Sequence, residues 1–329
     1  MSILPWRSPE QVRAMLAAAN DEAWRFLASL PERPVGAASS LEDLRRAIAI
    51  PLPDAPSDPL AAFRETVAAM DPGIVASAGP RFFGFVIGGT LPVSLAADWM
   101  VSAWDQNPGL YATSPATSVA EETAARWILE LLNLPEGSGV GFVTGCQMAS
   151  FTALAAARHA VLARAGWDVE EDGLQGAPHL SIVMSEEAHV TIHTALRFLG
   201  IGLRRAKLVK ADAQGRMDPR DLQRILGSVS GPAIVCAQAG NVNTGAVDDV
   251  EAIARIAAQA NAWLHVDGAF GLWAAASPSK RGLVRGINPI GWMADVMYVR
   301  SSENRSHGSS LGAKLRRFCN GTRFRYVFG

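Results

Sequence analysis

Four short polar stretches hold the side chains in this chain that are equipped for chemistry. The apolar run Trp263-Leu-His-Val266 ends in Asp267 and is followed by Gly268-Ala-Phe-Gly271. Such a run reads as a buried strand delivering its last residue, an acid, to the edge of a sheet. A buried carboxylate is costly unless a cation or donors meet it. Asp267 therefore either faces a cationic ligand or caps the next turn. In Thr144-Gly-Cys-Gln-Met-Ala-Ser150 a turn of small residues feeds a helical pattern, and unpaired N–H groups at a helix start bind phosphate well. An ordinary capping turn is the competing reading, because neither a P-loop nor a GxGxxG fingerprint is present. Ser185-Glu-Glu-Ala-His189 sets an imidazole at the head of a helix, where it is structural or stacks on an aromatic ligand; His193 is its competitor one turn on. The fourth stretch, Gln238-Ala-Gly-Asn-Val-Asn-Thr-Gly245, is a polar turn.

Elements that alternate in type must position these stretches. Apolar runs at Val140–Val143, Leu180–Met184, Lys207–Val209, Ala233–Cys236 and Trp263–Val266 read as strands, with helices over 147–165, 188–200, 218–229 and 248–261. Strand and helix in alternation predict an α/β fold with a mostly parallel sheet between helices. Ligands in such sheets bind beyond the carboxyl ends of the strands. Upstream, residues 8 to about 70 predict a helical arm broken at Pro31–Pro34 and Pro51–Pro59, with Val12, Leu16, Ala19, Ala23 and Leu27 at helical spacing and in need of a partner surface. Gly79-Pro-Arg-Phe-Phe-Gly-Phe-Val-Ile-Gly-Gly89 reads as an extended piece packed onto the core. Thr113 or Ser114 is placed to cap a helix whose Glu121, Glu122 and Arg126 form a solvated face.

The totals narrow the classes. With 329 residues, 49% hydrophobic and a net charge of −1, the chain has ample core and no basic stripe for nucleic acid before its last forty or so residues. The start lacks a signal-peptide pattern and no long apolar span follows, so a cytoplasmic location, without membrane, is expected. Cys146, Cys236 and Cys319 are too far apart for a disulfide framework or a metal ligand set.

Taken in order, Gly145-Cys-Gln147, the Ala149-to-Arg158 helix, His189, Asn243-Thr-Gly-Ala246 and His265-Val-Asp-Gly-Ala269 resemble the PLP-dependent amino-acid decarboxylases of the aromatic-amino-acid and glutamate decarboxylase group. Pro80-Arg-Phe-Phe-Gly-Phe and Ser114-to-Glu122 resemble it too, and the likeness covers roughly residues 5 to 285. It implies the large domain of the fold type I PLP-transferases, with pyridoxal 5'-phosphate as cofactor and an L-amino acid as substrate. It further implies that Gly145, Cys146 and Gln147 hold the phosphate, that His189 stacks on the pyridine ring, that Asp267 pairs with the ring nitrogen and that Ala269 packs beneath the ring. Asn241, where many relatives have Thr, and Thr244 would lie near the cofactor. His189 and Asp267 are the expected catalytic residues, in a carboxy-lyase that works as a homodimer. No metal is expected.

One feature of that family is not found. Its Schiff-base lysine, in a Ser/Asp-x-His-Lys stretch some thirty residues after the carboxylate, has no counterpart here. The lysines are Lys207, Lys210, Lys280 and Lys314, and the surroundings of Lys314, the only later amine, do not resemble the lysine loop. A guanidinium such as Arg300 stays protonated and cannot replace the amine. The expected organisation is thus a dimerising helical arm over 1–75, an incomplete cofactor-binding domain over 76–285 and a basic, disordered tail over 286–329, with the small C-terminal domain missing through truncation or a reading-frame change. Impaired turnover follows. The alternatives are a non-catalytic scaffold or fragment, and another PLP lyase or aminotransferase of the same fold.

Overall fold

The computed structural model describes residues 8–287, apart from Val86, Pro108, Glu136, Gly137 and the side chain of Arg205, together with the backbone of Trp292–Met293. The expected tail over 286–329 otherwise lies outside the described residues. The chain divides into two compact units, one ending at Ala97 and one beginning at Asp98.

The first unit is helical. Helix α1 (Pro9–Ser29) starts in a capping box: Gln11 N–H donates to Ser8 Oγ and Ser8 N–H to Gln11 Oε1, with Pro9 at the first helical position. Ser40 and Asp58 cap α2 (Leu41–Ile48) and α3 (Pro59–Met70), each side chain accepting one backbone N–H, from Asp43 and Ala61. Arg33 joins the pieces: its guanidinium pairs with Asp71 at 3.1 Å and lies over the Phe26 ring. The expected apolar stripe falls on α1, yet Leu16 is 63% and Leu27 38% exposed. The Gly79–Gly89 stretch is neither helix nor strand in its described residues, and Phe83 and Phe85 are exposed rather than packed on a core.

Helix α4 (Pro92–Trp104) spans the boundary between the units. In the second unit, Ser114 stands at the N-cap of α5 (Pro115–Leu131) but makes no capping bond; its buried hydroxyl bonds Gln106 and Thr117 instead. Glu122 and Arg126 are exposed on α5 as expected, whereas Glu121 is half-buried. Next come α6 (Cys146–Arg164), the short α7 (Val169–Asp172), β1 (Ser181–Ser185), α8 (Val190–Phe198), β2 (Ala206–Val209), α9 (Pro219–Leu226), β3 (Ala233–Gln238), α10 (Val250–Gln259), β4 (Trp263–Asp267) and β5 (Trp292–Met293). The five strands are all parallel, in the order β2-β1-β3-β4-β5.

Both faces of the sheet are covered, which is why β1, β3 and β4 are buried at every residue. Ile182, Met184, Ile234, Cys236 and Trp263 pack with α6 and α8, whereas Val183, Val235, Ala237, Leu264 and Val266 pack with α9 and α10. The pleat thus sorts alternate residues into two cores. The expected strand at Val140–Val143 is not formed. The neighbouring Gly139 forms only a β-bridge, and a bridge of single residues does not extend into a ladder. No helix among the described residues is long and apolar enough to cross a membrane.

Candidate active site at the strand ends

The carboxyl ends of β1, β3 and β4 surround a cavity lined by Ser185, Ala188, His189, Ile192, Cys236, Ala237, Gln238 and Asp267. Asp267 is the last residue of β4, in register with Gln238 at the end of β3. Its backbone carbonyl accepts from Ala239 N–H at 2.8 Å, and Gly271 N–H donates back to Ala239 carbonyl at 2.8 Å. This crossing is so close that a Cβ on Gly271 would lie 2.4 Å from the Ala239 oxygen, so the position admits only glycine. Asp267 is held at the edge by backbone.

Two buried carboxylates at this edge are used differently. Asp248, 4% exposed, takes Met217 N–H on one oxygen and Gln238 N–H on the other, each at 2.8 Å. It is fully occupied in bracing the chain. Asp267, 5% exposed, receives one hydrogen bond among the described residues, from Ala269 N–H to Oδ1 at 3.1 Å. Burial pushes its pKa up, against the Ala269 N–H and the nearby His189, which pull it down. A carboxylate so placed, lining a cavity, is suited to a cationic ligand.

His189 is the N-cap of α8. Its Nδ1 accepts from Thr191 N–H at 3.4 Å and lies 2.9 Å from Thr191 Oγ1. With Nδ1 accepting, the neutral ring carries its proton on Nε2, an assignment read from these partners. His193 does not line the cavity.

At the start of α6, Gly145 is the N-cap with φ +143, no side chain caps the helix, and nothing lies within 4 Å of the position a Cβ would take. Met148 and Ala149 N–H both donate to Gly145 carbonyl at 3.0 Å. Cys146 is exposed there, and Gln147 Nε2 donates to Thr191 carbonyl at 3.2 Å. Gly145, Cys146 and Gln147 are therefore tied to His189 through Thr191, although they do not themselves line the cavity.

Asn241 and Thr244 are placed elsewhere. Asn241 Oδ1 accepts from Asn243 and Thr244 N–H, while Thr244 Oγ1 donates to Gln214 carbonyl at 2.7 Å. Asn241 serves its own loop, Thr244 ties that loop to the turn at Gln214, and neither lines the cavity. Ala269 contributes its N–H to Asp267.

Sequence reasoning did not single out Thr191, Ser185, Cys236 or Gln238. Thr191 was accessible from the capping rule, since an N-cap side chain accepts from the second or third helical N–H. The Cys236 thiol is pushed up to about 12, by burial first and then by Asp267, and so stays protonated. Beneath Asp267 on the same strand face, His265 is fully buried with both ring nitrogens unpartnered, and burial pulls its pKa down to about 4. Among the described residues no cluster is suited to a metal ion.

At the cavity, Asp267 offers a carboxylate suited to a protonated ring nitrogen and His189 an imidazole suited to a ring; the start of α6 lies outside the cavity lining and is joined to them through Gln147 and Thr191. The model of the pyridoxal-dependent decarboxylase conserved domain matches residues 42–294. Human acidic amino acid decarboxylase GADL1 is 32% identical over 213 residues, 64% of this chain and 40% of its own length. Human cysteine sulfinic acid decarboxylase is 29% identical over 256 residues, 76% of this chain and 51% of its own. The chain thus spans about half the length of the curated relatives it matches. Among solved structures, mouse CSAD superposes with a TM-score of 0.82 at 25% identity, covering 92% of this chain and 67% of that one. The rice TDC structure with PLP superposes with a TM-score of 0.81 at 26% identity, covering 91% of this chain and 68% of that one. Pyridoxal 5'-phosphate is the cofactor these findings indicate, and the chain belongs to the pyridoxal-dependent decarboxylase family.

Proposed function

We propose that this chain is the cofactor-binding part of an amino-acid decarboxylase, a carboxy-lyase, and that it holds pyridoxal 5'-phosphate at the ends of β1, β3 and β4. The observation that carries this reading is Asp267, a buried carboxylate that lines the cavity with a single N–H partner and His189 nearby. When bound, the cofactor supplies an electron sink for the pair left as carbon dioxide departs. Asp267 would keep a proton on the ring nitrogen, and His189 would meet the ring. Gly145, Cys146 and Gln147 would hold the phosphate at the start of α6, and Ala269 would act beside Asp267, to which it donates its N–H. Asn241 and Thr244 act indirectly, by shaping the loop after β3.

The relatives act, by name, on acidic amino acids, cysteine sulfinic acid and tryptophan. We take an L-amino acid as the substrate class, and a cytoplasmic homodimer as the working form. Exposed Leu16 and Trp24 on α1, and separately Met100 and Trp104 on α4, support a second copy as the partner. A second reading, a non-catalytic subunit of the same fold, is favoured by the four lysines, of which none of the three described lines the cavity.

The test is release of carbon dioxide from L-glutamate, L-aspartate, L-cysteine sulfinate and L-tryptophan by the purified chain with cofactor, alongside its mass in solution. Turnover that disappears in Asp267→Asn supports the enzyme. Cofactor binding without turnover supports the non-catalytic subunit, and absence of cofactor binding defeats both.

A further inference from the structure

We infer that the turn following β2 is a bracket that fixes the spacing between the two sides of the cavity, with Glu186 and Thr244 as its positioning residues. The inference goes beyond the cofactor-site reading, and its test needs no ligand. In the strand order, β1 lies between β2 and β3. The chain leaving β2 nevertheless bonds to the loops that follow both β1 and β3, and so it crosses over the end of β1.

On the β1 side, Ala211 N–H donates to Glu186 Oε1 at 2.8 Å. Glu186 stands three residues before His189, in a loop closed by Ala188 N–H on Ser185 carbonyl and Glu187 N–H on Ser185 Oγ, both at 3.1 Å. Ser185, Ala188 and His189 line the cavity from this side. On the β3 side, Thr244 Oγ1 donates to Gln214 carbonyl at 2.7 Å. Met217 N–H donates to Asp248, the same carboxylate that takes Gln238 N–H. Gln238 and Asp267, in register at the ends of β3 and β4, line the cavity from that side. The bracket is also closed on itself. Ala211 and Met217 pair as an antiparallel bridge, and Asp212 Oδ1 accepts from Gln214 and Arg216 N–H at 2.8 and 3.0 Å. Gly215 has φ +82, and a Cβ there would lie 2.8 Å from Asn241 Nδ2 and 3.8 Å from Glu187 Cγ, so the turn is fitted between the two loops. Glu186 and Thr244 are exposed and do not line the cavity. What they contribute is placement.

The experiment labels the thiols of the ligand-free 329-residue chain with iodoacetamide under native conditions and maps them by mass. Cys236 lines the cavity and is 2% exposed, whereas Cys146 is exposed and serves as the reference within the same chain. Labelling of Cys236 then reports how often the two sides part. Glu186→Ala and Thr244→Val should each raise the ratio of Cys236 to Cys146 labelling at least about 2-fold, the least that loss of one net hydrogen bond gives. Glu186→Gln keeps the acceptor and Thr244→Ser the hydroxyl, and both should stay at the wild-type ratio. The rise should also be insensitive to urea well below the unfolding transition, which marks local opening rather than global unfolding. An unchanged ratio in either Glu186→Ala or Thr244→Val, an equal rise in the conservative variants, or a rise that grows steeply with urea overturns the inference. None of these outcomes touches the cofactor-site reading, which stands or falls on titration with pyridoxal 5'-phosphate.

Discussion

Asp267→Asn separates what the carboxylate does for the ligand from what it costs the fold. Asparagine keeps an acceptor for the Ala269 N–H, bonded at 3.1 Å in the wild type, and removes the charge from a residue only 5% exposed. In the ligand-free chain, burial raises the pKa of Asp267 above its unfolded value. A group with a raised folded pKa contributes stability that is fully present below the unfolded pKa and lost as pH rises through the folded one. Near neutral pH the wild type bears that loss and the variant does not. Ligand-free D267N should therefore melt at or above the wild-type temperature near neutral pH, with the difference shrinking or reversing toward acid. The ligand reverses the order. A hydrogen bond to a charged group contributes about 1.5–3 kcal/mol, so pyridoxal 5'-phosphate should bind about 10- to 140-fold more weakly to the variant. Thermal melts across pH, with and without cofactor, and a calorimetric titration measure both effects. Unchanged affinity in D267N would refute the pairing of Asp267 with the ring nitrogen, and a large loss of ligand-free stability near neutral pH would refute the account of its burial.

Two further predictions concern residues around the same edge. Thr191→Val removes the hydroxyl 2.9 Å from His189 Nδ1 while keeping the carbonyl that accepts from Gln147; it should weaken cofactor binding about 3- to 10-fold, as loss of one neutral hydrogen bond does, and Thr191→Ser should restore it in the same titration. His265 has a folded pKa of about 4 against 6.5 unfolded, so its contribution is fully present above 6.5 and lost as pH falls toward about 4. Urea unfolding of the wild type should lose about 2 kcal/mol more than that of His265→Gln between about pH 6.5 and pH 5, and equal losses in the two proteins would sink this account.

The strands were legible where burial on both faces left an unbroken apolar signature. The runs ending at Met184, Cys236 and Val266 fall within one or two residues of β1, β3 and β4. Asp267 was legible for a related reason, because it is the polar residue that follows such a run, and His189 because it stands at the head of the next helix. Val140–Val143 shows the limit of that signal: apolar character states that a segment is buried, whereas strand pairing needs a neighbour that local sequence does not name. The two residues of β5 are too short to leave any pattern. Asn241 and Thr244 stand in a loop at the right edge, but Asn and Thr side chains readily bond nearby backbone, and here they do so. Which polar groups in a strand-end loop face a ligand depends on the turn, and the turn was not legible.

Among the described residues, the restraints that position the proposed cofactor contacts are separate from any lysine. Asp267, His189 and the start of α6 stand on β4, α8 and α6, whose buried faces are filled by Leu264, Ile192, Leu196, Leu154 and Leu162. Their geometry is set by packing that is present whether or not an amine lies nearby. Gln147 and Thr191 tie α6 to α8, and the crossing of Gly271 with Ala239 ties β4 to β3. None of these restraints involves a lysine. A chain whose site is held in this way should keep its affinity for a phosphorylated pyridine even where the covalent step of its family has no amine to perform it. Affinity thus reports on the fold and on Asp267, and turnover reports on the amine, so the two measurements test different parts of the molecule.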